Sequence, residues 1–294
     1  MRVAVIDIGS NTARLLVASV VGTEVTQIRR ERHYLRLGDD VHALGRISPK
    51  KLKETSRAVS RFARIARKSG AEQLETIVTA PGRQAANGDE LVAILSAKTE
   101  ARVVQLTGDD EGRLAWEGAV ARIDDPPETV AVADLGGGSC ELAVGTTEVG
   151  PDWVQSIDMG ALRVTRTFFG GSSPTSEQGL AARREIRRLV QKLDPPPPDA
   201  ALVVGGTARA IGRVIGSRFG VDELEGLAAT LLRVPVESIV TSHRVTSERA
   251  QTLLGGTLVL AELAYLLDSE LEVGRGGLRE GAALMLARTV EAAA

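Results

Sequence analysis

Cysteine is almost missing from this 294-residue chain. The one thiol, Cys140, can form no disulfide within the chain and no cysteine-rich zinc site, which fits a reducing compartment. Histidine is nearly as scarce: His33, His42 and His243 lack the spacing of metal ligands. Long apolar runs are missing too. The first is broken by Asp7, so no secretory signal is expected, and the best later one, Leu253 to Leu267, contains Glu262 and is too short to span a bilayer. Nor is there an excess of charge. A net charge of -2 argues against a general nucleic-acid binder, while leaving room for a local basic groove. Together these absences predict a cytoplasmic protein without membrane or nucleic-acid partners. What is present, 43% hydrophobic and 25% charged residues, is the composition of an ordinary globular protein, and the length exceeds what one core usually serves, so two domains are expected.

One pattern is written twice. Residues 130–145 read as a buried strand, a tight glycine turn and a second strand, with Asp134 entering the turn and Glu141 leaving it. Gly136, Gly137 and Gly138 have no Cβ, so their backbone N–H groups can approach an anion, and the two carboxylates stand where they can hold a cation or a water beside it. The segment from Asp7 to Val17 matches Asp134 to Val144 without a gap: both share Asp-hydrophobic-Gly, a hydroxyl at the sixth place (Thr12, Ser139) and Leu-x-Val. Such a match points to a duplicated unit.

Read in order, the chain opens with a hairpin, Val3–Ile8 and Leu15–Val21, and a third strand near Val25–Arg30, followed by a polar loop at Gly38-Asp39-Asp40. Ser48-Pro49 caps a helix to Lys68 that carries Arg57, Arg61, Arg64 and Lys68 on one face, either a solvated surface or a track for a polyanion. A strand at Leu74–Thr79 leads into a loop, Ala80–Asn87. A helix near Asp89–Thr99 and a strand at Val103–Leu106 come next, then a helix started by Thr107 or Gly108 with acids in its first turn. Asp124-Asp125-Pro126-Pro127 marks a boundary between domains 1–124 and 125–294. The second half adds strands near Glu141–Gly145 and Val154–Ile157 and helices from Ala161 and over Ser176–Leu193. A strand at Ala201–Val204 then runs into a third glycine turn, Gly205-Gly206-Thr207, at the start of a helix where N–H groups can meet phosphate. Helical patterns at Val236–Thr241 and Ser247–Asp268, a strand at Leu271–Val273 and a terminal helix of about 281–294, able to pack back on the first domain, complete an α/β chain of two similar units.

With Asp7–Thr12, Arg83–Asn87, Gly108–Leu114, Asp134–Glu141, Gly205–Arg209 and Gly277–Gly281 in this order, the sequence resembles the exopolyphosphatase/guanosine pentaphosphate phosphohydrolase (Ppx/GppA) family over nearly its whole length. The resemblance implies a two-domain actin-like ATPase (acetate and sugar kinase/Hsp70/actin, ribonuclease H-like) fold. It further implies related five-stranded sheets, an active site in the interdomain cleft, and a homodimer. It places the family's catalytic glutamate at Glu111, with Asp110 and Gly112 departing from the surrounding motif, and aligns Arg83 with the family's arginine.

On this reading the N–H groups of Gly9, Ser10, Asn11, Thr12, of Gly136, Gly137, Gly138, Ser139, and of Gly205, Gly206, Thr207 bind phosphate together with the planar donors of Arg83. Asp134 anchors Mg²⁺ or another divalent cation, with Asp7 as a second candidate. Glu111 is the general base, and Glu141 orients water or metal. The expected substrate is inorganic polyphosphate; the alternatives are guanosine pentaphosphate, a phosphotransfer role as a kinase of the same fold, and a non-catalytic polyphosphate or alarmone sensor. Structural duties compete residue by residue. Asp7 and Asp134 can cap their turns, Glu111 can be a helix-start acid, Arg83 a surface arginine, and Arg209, Arg279 and Glu280 interdomain salt bridges.

Overall fold

The computed structural model describes residues 1–99, 101–170, 174–234, 236–243 and 245–293, without the side chains of 236, 237, 243 and 293, so the side chain of His243 lies outside the described residues, as does residue 294 of the expected terminal helix. The chain divides into two compact units, Met1–Arg122 with Gly276–Ala294, and Ile123–Arg275.

In unit 1, strands β1 (Arg2–Ile8), β2 (Thr12–Val21) and β3 (Glu24–Tyr34) form an antiparallel meander. Then come α1 (Leu37–Leu44), α2 (Pro49–Lys68), β4 (Gln73–Val78), α3 (Ala80–Gln84), α4 (Gly88–Thr99), β5 (Arg102–Gln105) and α5 (Gly108–Val120). The sheet order is β3-β2-β1-β4-β5, with β4 parallel to both β1 and β5. Val3 to Ile6 of β1 are completely buried, as a central strand covered on both faces requires, whereas the edge strand β3 carries arginines and glutamates that blunt an exposed edge. Ile6, Ile8 and Leu15 pack with Phe62 of α2 and Leu91 and Leu95 of α4. Ser48 caps α2 as expected, its hydroxyl accepting from the Lys51 N–H.

In unit 2, β6 (Thr129–Leu135), β7 (Cys140–Thr146) and β8 (Gly150–Ile157) repeat the meander. They are followed by α6 (Ala161–Val164), a π-helical turn Thr165–Phe169, α7 (Ser176–Val190), β9 (Ala200–Val204), α8 (Gly206–Ile215), β10 (Arg218–Phe219), α9 (Val221–Leu231), α10 (Val236–His243), α11 (Ser247–Ala250), α12 (Leu253–Leu267) and β11 (Leu271–Val273). The order β10-β11-β9-β6-β7-β8 contains the order of the first sheet, so the repeat in sequence is a repeat in topology. α13 (Leu278–Ala293) belongs to unit 1 and packs on α5. Backbones touch there: a Cβ on Gly281 would lie 1.9 Å from the Leu114 carbonyl oxygen, and one on Gly118 2.1 Å from that of Gly277.

Several expectations are corrected. Gly38-Asp39-Asp40 is not a loop but the start of α1, which buries Leu37 and follows Arg36 in the left-handed region. Ala80–Gln84 is likewise helical, with Pro81 in its first turn. The second sheet has six strands among the described residues, because the two-residue β10 pairs with β11. β10 and α9 had no strong pattern in the sequence. α7 stops at Val190, short of Leu193, and the helix expected over Ser247–Asp268 is broken between α11 and α12 at Gln251 and Thr252. Among the described residues no helix is long and apolar enough to cross a membrane.

Candidate active site

The glycine turn of unit 2 joins β6 to β7, which places Asp134 directly opposite Glu141 in the antiparallel ladder. The Gly136 N–H is used inside the turn, bonding the Asp134 and Ser139 carbonyls (both 3.1 Å). The carbonyls of Gly136, Gly137 and Gly138 are occupied from the other side, by the N–H of Ala161 (3.0 Å), the N–H of Arg163 (2.9 Å) and the Arg163 Nε (3.0 Å). Among the described residues no peptide is cis, so each carbonyl points away from the following N–H. The amides of Gly137, Gly138 and Ser139 are therefore turned away from α6, as one set of three donors, the arrangement that makes a backbone nest for an anion. Gly160 keeps α6 this close: a Cβ there would lie 2.4 Å from the Gly137 carbonyl carbon.

The carboxylates beside this turn differ in exposure. Glu141 is 2% exposed, and its Oε1 accepts from the Ser156 hydroxyl on β8 (2.9 Å); Asp134 is half-buried. Burial, with both carboxylates adding to it, pushes the Cys140 thiol well above its usual range, which makes this cysteine a packing residue and no nucleophile. Two carboxylates and nearby backbone do not form a closed metal cage, and among the described residues no group of three acidic, histidine or cysteine ligands occurs. They do match Mg²⁺, which takes one or two carboxylates and keeps water or phosphate oxygens in its other positions.

The third turn lies in the same unit. Gly205 has φ +100, and a Cβ on it would sit 2.6 Å from the Leu135 carbonyl oxygen and 3.0 Å from Asp134 Oδ1, so only glycine brings the N-terminus of α8 this close to Asp134. Thr207, 2% exposed, is in the first turn of α8, and its Oγ1 accepts from Arg249 Nη1 on α11 (3.4 Å). The sequence reading missed Arg249, because α11 contains nothing to mark it except the charge itself.

In unit 1 the matching turn has fewer parts. The Gly9 N–H bonds the Thr12 carbonyl (3.0 Å), Gly38 N–H bonds the Ser10 carbonyl (2.7 Å), and Leu35 and Arg36 bond that of Asn11 (both 3.0 Å). By the same peptide geometry the amides of Asn11 and Thr12 are turned away from this strap. Asp7 stands opposite Arg14, not opposite a second acid. Burial raises its pKa, against the pull of Arg279 and Arg14 and with a push from Glu280. Arg279 and Glu280 are buried within unit 1, where Glu280 accepts from Arg30 Nη2 (2.6 Å). Glu280 is thus paired within its own unit.

Glu111 sits in the first turn of α5 and is 6% exposed. The capping duty that competes for an acid here is taken by Asp110, which bonds the Thr107 N–H (3.0 Å) while the Thr107 hydroxyl accepts from the Asp110 N–H (3.1 Å), leaving Glu111 without that role. Arg83 Nη1 donates to Glu111 Oε1 and to the Leu106 carbonyl (2.9 Å), so the arginine expected on phosphate is here turned onto the expected base. Asn87 serves the backbone, its side-chain oxygen and nitrogen bonding the Ile47 N–H (2.8 Å) and carbonyl (3.0 Å).

The profile of the Ppx/GppA phosphatase family matches residues 16–289. The chain belongs to this family. It is 29% identical to Exopolyphosphatase 2 of Mycobacterium tuberculosis over 97% of its own length and 98% of that protein, and 27% identical to Exopolyphosphatase 1 of Mycobacterium leprae over 96% and 88%. The crystal structure of the Aquifex aeolicus Ppx/GppA family member is 25% identical, covers 98% of each chain and superposes with a TM-score of 0.84. An exopolyphosphatase from Cytophaga hutchinsonii, 17% identical with a TM-score of 0.86 over 98% of each chain, shares the fold. The two-domain actin-like fold of this phosphatase family is thus the fold of the chain.

Proposed function

We propose that the protein is an exopolyphosphatase, which hydrolyses the terminal phosphoanhydride bond of inorganic polyphosphate and releases orthophosphate. The observation that carries this reading is the turn 136–139, with three amides turned away from α6 and flanked by Asp134 and Glu141, in a chain whose relatives are named exopolyphosphatases. A phosphoanhydride resists water because its negative oxygens repel the nucleophile, so a catalyst must neutralise the terminal phosphoryl group and present a water in line with the leaving oxygen. The amides of Gly137, Gly138 and Ser139, those of Asn11 and Thr12, and the α8 N-terminus at Gly206 and Thr207 take the phosphoryl oxygens, while Gly9, Gly136 and Gly205 shape the turns. Asp134, with Glu141 behind it, holds the divalent cation, Mg²⁺ being the proposed ion; when bound it supplies positive charge to the phosphate oxygens. Asp7, beside Arg14 and raised in pKa, orients its own turn instead. Glu111 accepts the proton of the attacking water as the new P–O bond forms and the bridging P–O bond breaks, and the electron pair leaves on the shortened chain. Arg83 positions Glu111 and moves to phosphate when substrate arrives. Assembly as a homodimer in the cytoplasm accompanies the proposal.

Phosphate release from polyphosphate and from guanosine pentaphosphate, each with and without Mg²⁺, tests the reading. Polyphosphate turnover that needs the metal is expected; better turnover of the pentaphosphate would replace the substrate, and phosphotransfer to an acceptor with polyphosphate left intact would replace the reaction. Glu111→Gln should lower kcat by about 10²–10⁴ while polyphosphate still binds. A variant with unchanged turnover would remove Glu111 from the mechanism.

A further inference from the structure

The sequence carries two runs of basic residues, and the structure treats them differently. On α7, Arg183 pairs with Glu225, Arg187 with Glu262 (2.9 Å) and Arg188 with Glu185 (2.6 Å). On α2, Lys50, Lys53, Arg57, Arg61, Arg64 and Lys68 are all exposed, and among the described residues none of them has an acidic partner. Their spacings of three and four residues put them on one face of the helix, a row about 27 Å long at the helical rise per residue. Its first part opens into a surface pocket of about 430 Å³ between α2 and β3, lined by His33, Lys50, Lys53, Glu54, Arg57 and Arg61. Glu54 is the only carboxylate in that lining, and it is already engaged by Lys51 Nζ (3.0 Å) and His33 Nε2 (3.2 Å), so it does not neutralise the row.

We infer that this face of α2 is a second, non-catalytic binding site for the phosphate chain itself, which holds polyphosphate away from the reacting end. The inference rests on the exopolyphosphatase reading. Unpaired cations at the spacing of one helical turn repel one another, and a folded chain tolerates such a row at a small cost; a ligand with regularly repeated negative charge relieves that repulsion at every step and releases counterions. A single phosphate gains little from a row this long. A linear polyanion gains along the whole of it, so the site favours long chains over short ones.

The test uses the full chain with Lys53→Gln, Arg57→Gln and Arg61→Gln combined, and as a control Arg184→Gln with Arg188→Gln on α7. All five positions are exposed, and thermal unfolding of both variants should match the parent. With the α2 variant, KM for long-chain polyphosphate should rise about tenfold and its salt dependence should flatten, while kcat and the kinetics on tripolyphosphate stay the same. The α7 control should leave all of these unchanged. Equal KM for long chains in the α2 variant and the parent, or an equal rise with tripolyphosphate, would overturn the site. Binding of long-chain polyphosphate to Glu111→Gln, with and without the α2 substitutions, separates the two proposals. Loss of binding on α2 substitution supports the site even if the parent releases no phosphate, an outcome that would overturn the exopolyphosphatase reading alone. Single-stranded RNA binding more tightly than polyphosphate to the same face would overturn the assignment of the ligand.

Discussion

The two copies of the strand-turn-strand motif have the same register and opposite chemistry at the same place. Asp7 faces Arg14 where Asp134 faces Glu141. The first pairing sets an acid opposite a base, while the second sets two acids beside the three amides turned away from α6, the combination that takes a cation on the proposed reading. The connections after the fourth strand of each sheet diverge in the same direction. In unit 1, the Thr79 hydroxyl bonds the Ile8 carbonyl (3.2 Å), and α3, only five residues long, follows. In unit 2 the equivalent carbonyl, that of Leu135, meets Gly205 in a backbone approach no side chain could make, and the ten-residue α8 starts there. Duplication supplied two scaffolds. One carries two facing carboxylates beside its glycine turn, and the other carries a buried glutamate, Glu111, with Arg83 bonded to it.

The sharpest way to break this contrast is to neutralise the carboxylates of unit 2. Asp134→Asn should lower metal-dependent turnover by about 10³ and shift metal activation to higher Mg²⁺ concentration, whereas Arg14→Gln, at the position matching Glu141, should leave the metal requirement where it was. An equal shift of the metal titration in both variants would mean that the cation is not held by unit 2. Next in size is Gly205→Ala. With φ +100 and a backbone oxygen 2.6 Å from the new Cβ, it should cost at least ~2 kcal/mol of stability, read by chemical denaturation. Gly9→Ala, whose Cβ would meet nothing nearer than 3.7 Å, should stay within ~0.5 kcal/mol. The smallest effect concerns Asp7. Its folded pKa is raised by burial, so the folded state holds that proton more tightly than the unfolded chain, and the ionised form is the costly one. Asp7→Asn should therefore stabilise the protein by up to about 1 kcal/mol in mildly alkaline buffer, and the gain should shrink as pH falls through the raised pKa. A gain that grows on acidification would reverse the assignment.

Much of this was legible in the sequence because the decisive signals are local. The hairpins, the glycine turns, the Ser48-Pro49 helix start and the repeated Asp-x-Gly pattern are each set by neighbours within a few residues, and the family motifs pointed to Glu111. What escaped is set by tertiary contact. α1 forms because Leu37 finds a buried place, which no pattern around Gly38-Asp39-Asp40 announces. The partners of Arg83, Arg183 and Arg187 lie 28 to 75 residues away in the chain, so spacing alone does not tell the α7 arginines, three of which the fold pairs with carboxylates, from the row on α2. The role of Asp110 as capping partner of Thr107, by contrast, follows from spacing alone and explains why aspartate suffices beside Glu111.

The return of α13 to unit 1 has a consequence for biosynthesis. The helix that covers α5, through glycine contacts as close as those of Gly118 and Gly281, is translated after all of Ile123–Arg275. On the ribosome unit 2 can therefore finish folding first, while α5, with Glu111 in its opening turn, waits with one side uncovered. The surroundings of Glu111 are completed last, so a chain interrupted before Gly276 would carry the turn 136–139 with α5 still uncovered.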